Sequence, residues 1–345
     1  LRIVVNLNDL QYAIMQKMKN NAMKSEIITI LKQHDSAFVS GQEISKRFGI
    51  TRAAVWKYIK QIQKEGYELE SAPRNGYKLV SCPDILTYDE ISPYLKTRYI
   101  GQRIIHYGST DSTSNKAREL AESGEPEGTV VISETQTEGK GRSGKTWDSE
   151  AYKGIWMSII LRPDVDMSSV AMVTQIGCAA VGTVMDTLIG GIQIKWPNDV
   201  LVNGKKFCGI LTESSGEADK TDYVVLGIGI NVNQTENDFP APLDKTATSI
   251  KIETGKDISR QRLVSDILYA FEKLYKNVQN QENIDGILDF FTNHSNIIGK
   301  NILLKRNHRK SAVYVTGLNR QGQLVIRYKD GSYGNISSGD ISILE

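Results

Sequence analysis

Cysteine, one-sided charge and long hydrophobic runs are all scarce in this 345-residue sequence, and each scarcity closes a class of function. Its three cysteines, Cys82, Cys178 and Cys208, are odd in number and far apart. They build neither a disulfide framework nor a zinc site, and they fit a reducing cytoplasm. The 42 Lys and Arg against 40 Asp and Glu leave a net charge of +2, so any nucleic-acid partner has to be argued from local charge. The longest apolar stretch, Ile176 to Ile192, is broken by Asp186 and by glycines, and no membrane span is expected. Residues 1–22 carry no signal-peptide core or cleavage site and are left as an extension of unassigned role, with Met23 a candidate start. The length itself implies two or three domains.

What the sequence does have is a glycine-rich, basic stretch, Gly139-Lys140-Gly141-Arg142-Ser143-Gly144-Lys145-Thr146-Trp147. Three glycines let the backbone bend sharply and approach a ligand, and Lys140, Arg142 and Lys145 bring positive charge to the same place, a combination that suits a phosphate. Thr129 to Ser133 reads as a strand entering the stretch and Ile155 to Leu161 as a strand leaving it. Gly139 to Thr146 also satisfies the P-loop pattern. A P-loop opens a helix, however, and the polar, glycine-ended run Trp147 to Gly154 predicts none.

From Met23 to about Pro83 the pattern is short helices and one tight turn. A first helix carries Ile27, Ile28, Ile30 and Leu31. Ser40 caps a second over Gly41 to Phe48, with Glu43 at the capping-box position, and Gly49 ends it. Thr51 caps a third, Arg52 to Lys64, whose buried stripe is Val55, Ile59 and Ile62. A hairpin turning at Pro73-Arg74-Asn75-Gly76 follows. Helix, helix, turn, helix, hairpin is the winged helix-turn-helix plan. Thr51, Arg52, Lys57, Lys60 and Arg74 then place hydroxyl and cationic groups on the third helix and the wing, where they meet DNA phosphates and base edges. A solvated face used for protein contacts is the competing reading.

The middle of the chain is read as a mixed domain. The hydroxyl run Gly108 to Asn115 leads into a helix over Lys116 to Ser123, and helix capping alone explains it. Met167 to Gly190 predicts a buried helix. Ile192 to Trp196 alternates, which sets Lys195 on the face opposite the two isoleucines. Hairpin strands follow around Asn203-Gly204, and Tyr223 to Asn233 adds a strand with Gly227, Gly229 and Asn231 on one face. A bare glycine face means close approach by a ligand or by a packed helix. Ser259 to about Val278 reads as an amphipathic helix, and from Ile298 the chain alternates in short strands.

Asp111-Ser112-Thr113, Gln136, the loop Gly139 to Trp147, Lys195-Trp196-Pro197-Asn198-Asp199, Gly209 to Glu213 and Gly227 to Asn231 stand in the order and spacing of biotin protein ligases. With the winged helix in front, the chain resembles the bifunctional, repressor-type members known as BirA. The resemblance implies an α+β protein. It has a winged helix-turn-helix over 23–83, a mixed α/β catalytic domain of the biotin/lipoate ligase type over 84–296 and a small SH3-like β-barrel over 297–345. It implies ATP and biotin as substrates, Mg²⁺ with the ATP, and biotinyl-5'-adenylate as intermediate. The implied partners are a biotin carboxyl carrier domain, operator DNA and a second copy of the chain. By the same resemblance Ser112, Thr113, Ser114, Gln136, Gly139, Lys140, Gly141, Arg142 and Lys195 bind biotin, and Arg142, Trp147, Lys195 and Asn231 meet the nucleotide. Arg142 and Lys195 are the catalytic pair, and no protein metal site is expected. The four scattered histidines are not needed. Ser143, Lys145, Asp148 and Ser114 depart from residues common in the family, which bears on loop ordering rather than on activity. A lipoate ligase and a non-catalytic sensor are the alternatives.

Overall fold

The computed structural model describes residues 23–34, 37–64, 66–164, 170–217, 220–279, 284–306, 309–337 and 339–344. The extension 1–22, Met167 at the expected start of the long helix, and His308 lie outside the described residues. The chain divides into two compact units between Asp84 and Ile85.

The N-terminal unit runs α1 (residues 23–33), α2 (Gly41–Phe48), α3 (Arg52–Lys64), β1 (Glu68–Ala72) and β2 (Gly76–Ser81). The Ser40 hydroxyl accepts the Glu43 N–H at 3.0 Å and Gly49 closes α2 in the left-handed region. The Thr51 hydroxyl accepts from Ala54 at 3.1 Å at the head of α3. Val55, Ile59 and Ile62 are buried on Ile27, Leu31 and Ile44, so the apolar stripes close one small core. The hairpin is tied to the residue before Ser40: Val39 and Tyr77 exchange backbone hydrogen bonds of 2.8 and 2.9 Å. That approach needs glycine at 76, where φ is +106° and a Cβ would lie 2.0 Å from the Val39 carbonyl.

The second unit begins with α4 (Tyr88–Ile91), β3 (Arg103–Tyr107), α5 (Thr113–Glu122), β4 (Thr129–Ser133) and β5 (Gly154–Leu161). It continues with α6 (Val170–Leu188), β6 (Ile192–Lys195), β7 (Asp199–Val202), β8 (Lys205–Glu217), β9 (Lys220–Asn231), α7 (Ile250–Thr254), α8 (Arg260–Gln279) and α9 (Ile284–His294). Seven strands order as β3-β4-β5-β9-β8-β7-β6, parallel only between β3 and β4. Strand alternation splits the sheet into two faces. Val130, Ile132, Ile159, Leu161, Val224 and Leu226 face the core built with α6 and α8, whereas Val131, Ile160 and Val225 pack against Ala117 and Ala121 of α5. Helix α6 is long and apolar enough to cross a membrane, with a mean hydropathy of 1.3, but it is mostly buried inside this core.

The last strands, β10 (Asn301–Arg306), β11 (Arg309–Leu318), β12 (Leu324–Arg327), β13 (Tyr333–Ile336) and β14 (Asp340–Ile343), form an antiparallel sheet ordered β13-β12-β11-β10-β14. The region expected to be a small barrel contains this five-stranded antiparallel sheet. Ile302, Val313, Val315 and Ile326 join the same core as α6 and β8, so both sheets belong to one unit.

Candidate active site

The face of the large sheet that α5 covers continues past the start of that helix, and there it is floored by small residues. The register lines up Trp156, Gly229, Gly209, Asp199 and Lys195 across five neighbouring strands, with Ser158, Gly227 and Leu211 in the next row. A Cβ at Gly229 would lie 2.7 Å from the Trp147 indole, one at Gly209 would lie 2.6 Å from it, and one at Gly227 would lie 2.8 Å from the Ser114 hydroxyl. The bare glycine face therefore receives Trp147 and the head of α5, neither of which could come so close to a larger residue. Trp147 also meets Trp156 edge-on at 6.2 Å between ring centroids. Its indole N–H is buried without a partner among the described residues.

Helix α5 starts at Thr113 rather than at Lys116, and the Ser112 side chain makes no capping bond. The hydroxyl run is used otherwise: Ser112, Thr113 and Ser114 are buried, and the Thr113 and Ser114 hydroxyls lie 2.9 and 3.2 Å from Ser158 of β5. Gln136 accepts from the Thr113 N–H at 2.8 Å and donates to the Ser149 hydroxyl at 2.8 Å. The run thus joins helix, strand and glycine-rich loop. Its position at a helix N-terminus adds partial positive charge.

The loop between β4 and β5 opens no long helix, which removes the P-loop reading; a single short turn, Arg142–Gly144, interrupts it. Lys140 pairs with Thr146 across the loop, and the Trp147 N–H donates to the Gly139 carbonyl at 2.8 Å. Arg142 donates to the Asn198 side chain at 3.2 Å, and Asn198 is itself fixed to Ile210 of β8 by two bonds of 2.9 Å. Lys140 donates at 2.5 Å to Asn115, whose amide donates at 2.6 Å to Asp111. Asn115 is thus held between a cation and a carboxylate, and its orientation is set by both.

These parts enclose a cavity of about 400 Å³ lined by Ser112, Thr113, Ser114, Gln136, Lys140, Gly141, Arg142, Trp147 and Lys195. Gly139 is buried behind the lining, where a Cβ would lie 2.2 Å from the Trp147 carbonyl. Asn231 lies in a neighbouring cavity of about 570 Å³ that shares Trp147, Lys195 and Lys206. There its amide donates to the Thr248 carbonyl at 3.0 Å. Lys145, Lys206 and Lys305 add to the positive lining of the first cavity, in which Asp199, its only carboxylate among the described residues, pairs with Lys206 at 2.6 Å. Such a cavity favours an anion. Lys195 is exposed, and no described residue forms an ion pair with it.

Sequence reasoning missed Ser158, Lys206 and Lys305. Ser158 reads as one polar residue in an apolar strand. Lys206 precedes a bulge between β7 and β8, and Lys305 belongs to the second sheet. Among the described residues no three His, Cys, Asp or Glu side chains stand together as a metal site. Burial pushes the Cys178 and Cys208 thiols up, away from nucleophilic use.

In the N-terminal unit, Thr51, Arg52, Lys57, Lys60 and Arg74 are all exposed. The Thr51 hydroxyl is engaged in its cap, Arg52 donates to Gln42 of α2 at 3.2 Å and Lys60 to Gln63 at 3.0 Å. Trp56, on the same helix, is 54% exposed, which makes this face aromatic as well as basic.

Comparison with known proteins agrees with this geometry. Residues 107–231 match the biotin/lipoate A/B protein ligase family, and residues 24–78 match a helix-turn-helix domain family. The bifunctional ligase/repressor BirA of Bacillus subtilis is 38% identical over 325 residues, covering 94% of this chain and 99% of that protein. The Escherichia coli protein of the same name is 24% identical over 330 residues. The Aquifex aeolicus biotin protein ligase, solved with biotin and ATP, superposes with a TM-score of 0.59 at 26% identity, covering 70% of this chain and 99% of that one. The chain belongs to the biotin protein ligase family, among the BirA-type members that carry an N-terminal helix-turn-helix domain.

Proposed function

We propose that this chain is a bifunctional biotin ligase and transcriptional repressor acting in the cytoplasm. The observation that carries the ligase half is the glycine-floored cavity ringed by cations and buried hydroxyls, in a chain of this family. A carboxylate oxygen of biotin attacks the α-phosphorus of ATP, the bond to the β-phosphate breaks and pyrophosphate leaves. Lys195 and Arg142 face the growing negative charge as cations placed in advance, Arg142 by Asn198. Ser112, Thr113, Ser114 and Gln136 hydrogen-bond the biotin head group, Gly139, Lys140 and Gly141 fold over its carboxylate, and Trp147 and Asn231 receive the nucleotide. The ε-amine of a lysine on a biotin carboxyl carrier domain then attacks the acyl carbon, the nitrogen loses a proton and AMP departs. Mg²⁺ enters with the ATP phosphates.

In the repressor half, the adenylate-bound chain forms a homodimer that sets two copies of α3 on a two-fold operator. Arg52, Lys57, Lys60 and Arg74 meet the backbone, Thr51 adds a hydroxyl at the head of the helix, and genes of biotin synthesis and transport are turned down. Lys195→Met separates this reading from a sensor without catalysis. Adenylate synthesis is expected to fall by about a hundredfold or more, the loss usual for a transition-state charge contact. Undiminished synthesis would remove Lys195 from the mechanism.

A further inference from the structure

Every ligand-facing residue of the β4–β5 loop depends on where the loop leaves one strand and joins the next. Both of those points converge on one buried side chain. Arg260, the first residue of α8, is 0% exposed, and its Nη1 donates at 2.9 Å to Glu134 and at 2.9 Å to the Gly154 carbonyl. Glu134 is the residue directly after β4, and Gly154 is the first residue of β5. The same nitrogen thus holds both roots of the segment that carries Gln136, Lys140, Arg142 and Trp147.

The pair is built rather than incidental. Glu134 is 1% exposed, and its second oxygen accepts the Leu86 N–H at 2.7 Å and faces His106 at 3.0 Å. Burial alone would raise this carboxyl, but the His106 hydrogen bond, the Arg260 charge and the Leu86 N–H outweigh it, so the group is held below its usual value. The helix gives no reason for the arginine, because a cation in the first turn of α8 opposes the positive end of the helix dipole. A buried ion pair is also seldom the cheapest way to stabilise a core. Its location at the two loop roots supplies what stability does not.

We propose that Arg260 is a positioning residue for adenylation: acting through Glu134 and Gly154, it fixes both roots of the ligand loop so that the loop's cations stand in place before substrate arrives. The inference rests on the ligase reading for its kinetic consequence but not for its structural one. Loss of the clamp leaves the sheet floor, Lys195 and the hydroxyl run unchanged and lets the loop wander.

The test compares the full-length wild type with Arg260→Lys and with the double variant Glu134→Gln, Arg260→Met. The double variant removes both charges together and so leaves none buried alone. Hydrogen exchange is followed across residues 137–152 without ligand, together with KM and kcat for biotin and ATP in pyrophosphate exchange. The expected result for the double variant is faster exchange in the loop, unchanged protection in β5 and β9, and a fall in kcat/KM of about ten- to a hundredfold. Arg260→Lys, which keeps a cation but with one compact head in place of the planar fork, falls between the two. Wild-type loop exchange and wild-type kinetics in the folded variants would overturn the proposal. If the double variant does not fold, Arg260→Lys alone decides: a loop and kinetics identical to wild type overturn it. Failure of the wild type to exchange pyrophosphate would instead strike the ligase reading, and the loop-exchange comparison would still stand.

Discussion

Asp111 is held at about 2 against an ordinary 3.8, chiefly by the amide of Asn115, with smaller contributions from the Ser112 N–H, the Thr110 hydroxyl and Lys116. A depressed carboxyl contributes stability that is full above its unfolded value and disappears as pH falls through the folded one. The window is therefore pH 3.8 down to about 2. Urea denaturation across that window is expected to show a steeper loss in the wild type than in Asp111→Asn, and equal slopes would contradict the assignment. The same carboxylate orients Asn115 and through it Lys140, so residue-scale stability and ligand geometry meet here. At this scale the sequence was partly legible. Lys195 could be placed because Ile192 and Ile194 alternate with it cleanly, and the strand obeys. Lys206 could not, because the bulge opposite β7 buries Phe207 and Cys208 in succession and breaks the two-residue period on which such a reading depends.

Elements with strong local chemistry followed the sequence closely. Ser40, Gly49 and Thr51 bound their helices as their side chains dictate, and the apolar stripe of α3 is the one its spacing implies. The head of α5 did not follow: a serine before a helix suggests a cap, while the hydroxyls turn instead to Ser158, a partner that only the sheet's register reveals. The wing offers an element-scale prediction. Gly76→Ala forces a positive φ on an L residue and drives a Cβ into the Val39 carbonyl. The strain is expected to cost about 2 kcal/mol or more. Amide exchange in β1 and β2 of the full chain should then accelerate by about thirtyfold. Unchanged protection there would mean that the hairpin is not pinned to Val39.

For the whole molecule, the chain divides between Asp84 and Ile85, just after the wing strand that ends at Ser81. The joining of the C-terminal sheet to the catalytic core was not legible in the sequence, since contacts between distant strands leave no local signature. Dimerisation belongs to this scale. Sedimentation with biotin and ATP is expected to show a dimer where the ligand-free chain is a monomer, and one unchanged monomer at concentrations that saturate operator DNA would contradict it. The cavity is expected to join biotin to AMP. The most direct test of this is the exchange of labelled pyrophosphate into ATP with biotin or lipoate as the acid. Exchange with biotin alone is the predicted result; no exchange with either acid, or exchange with lipoate alone, would contradict it.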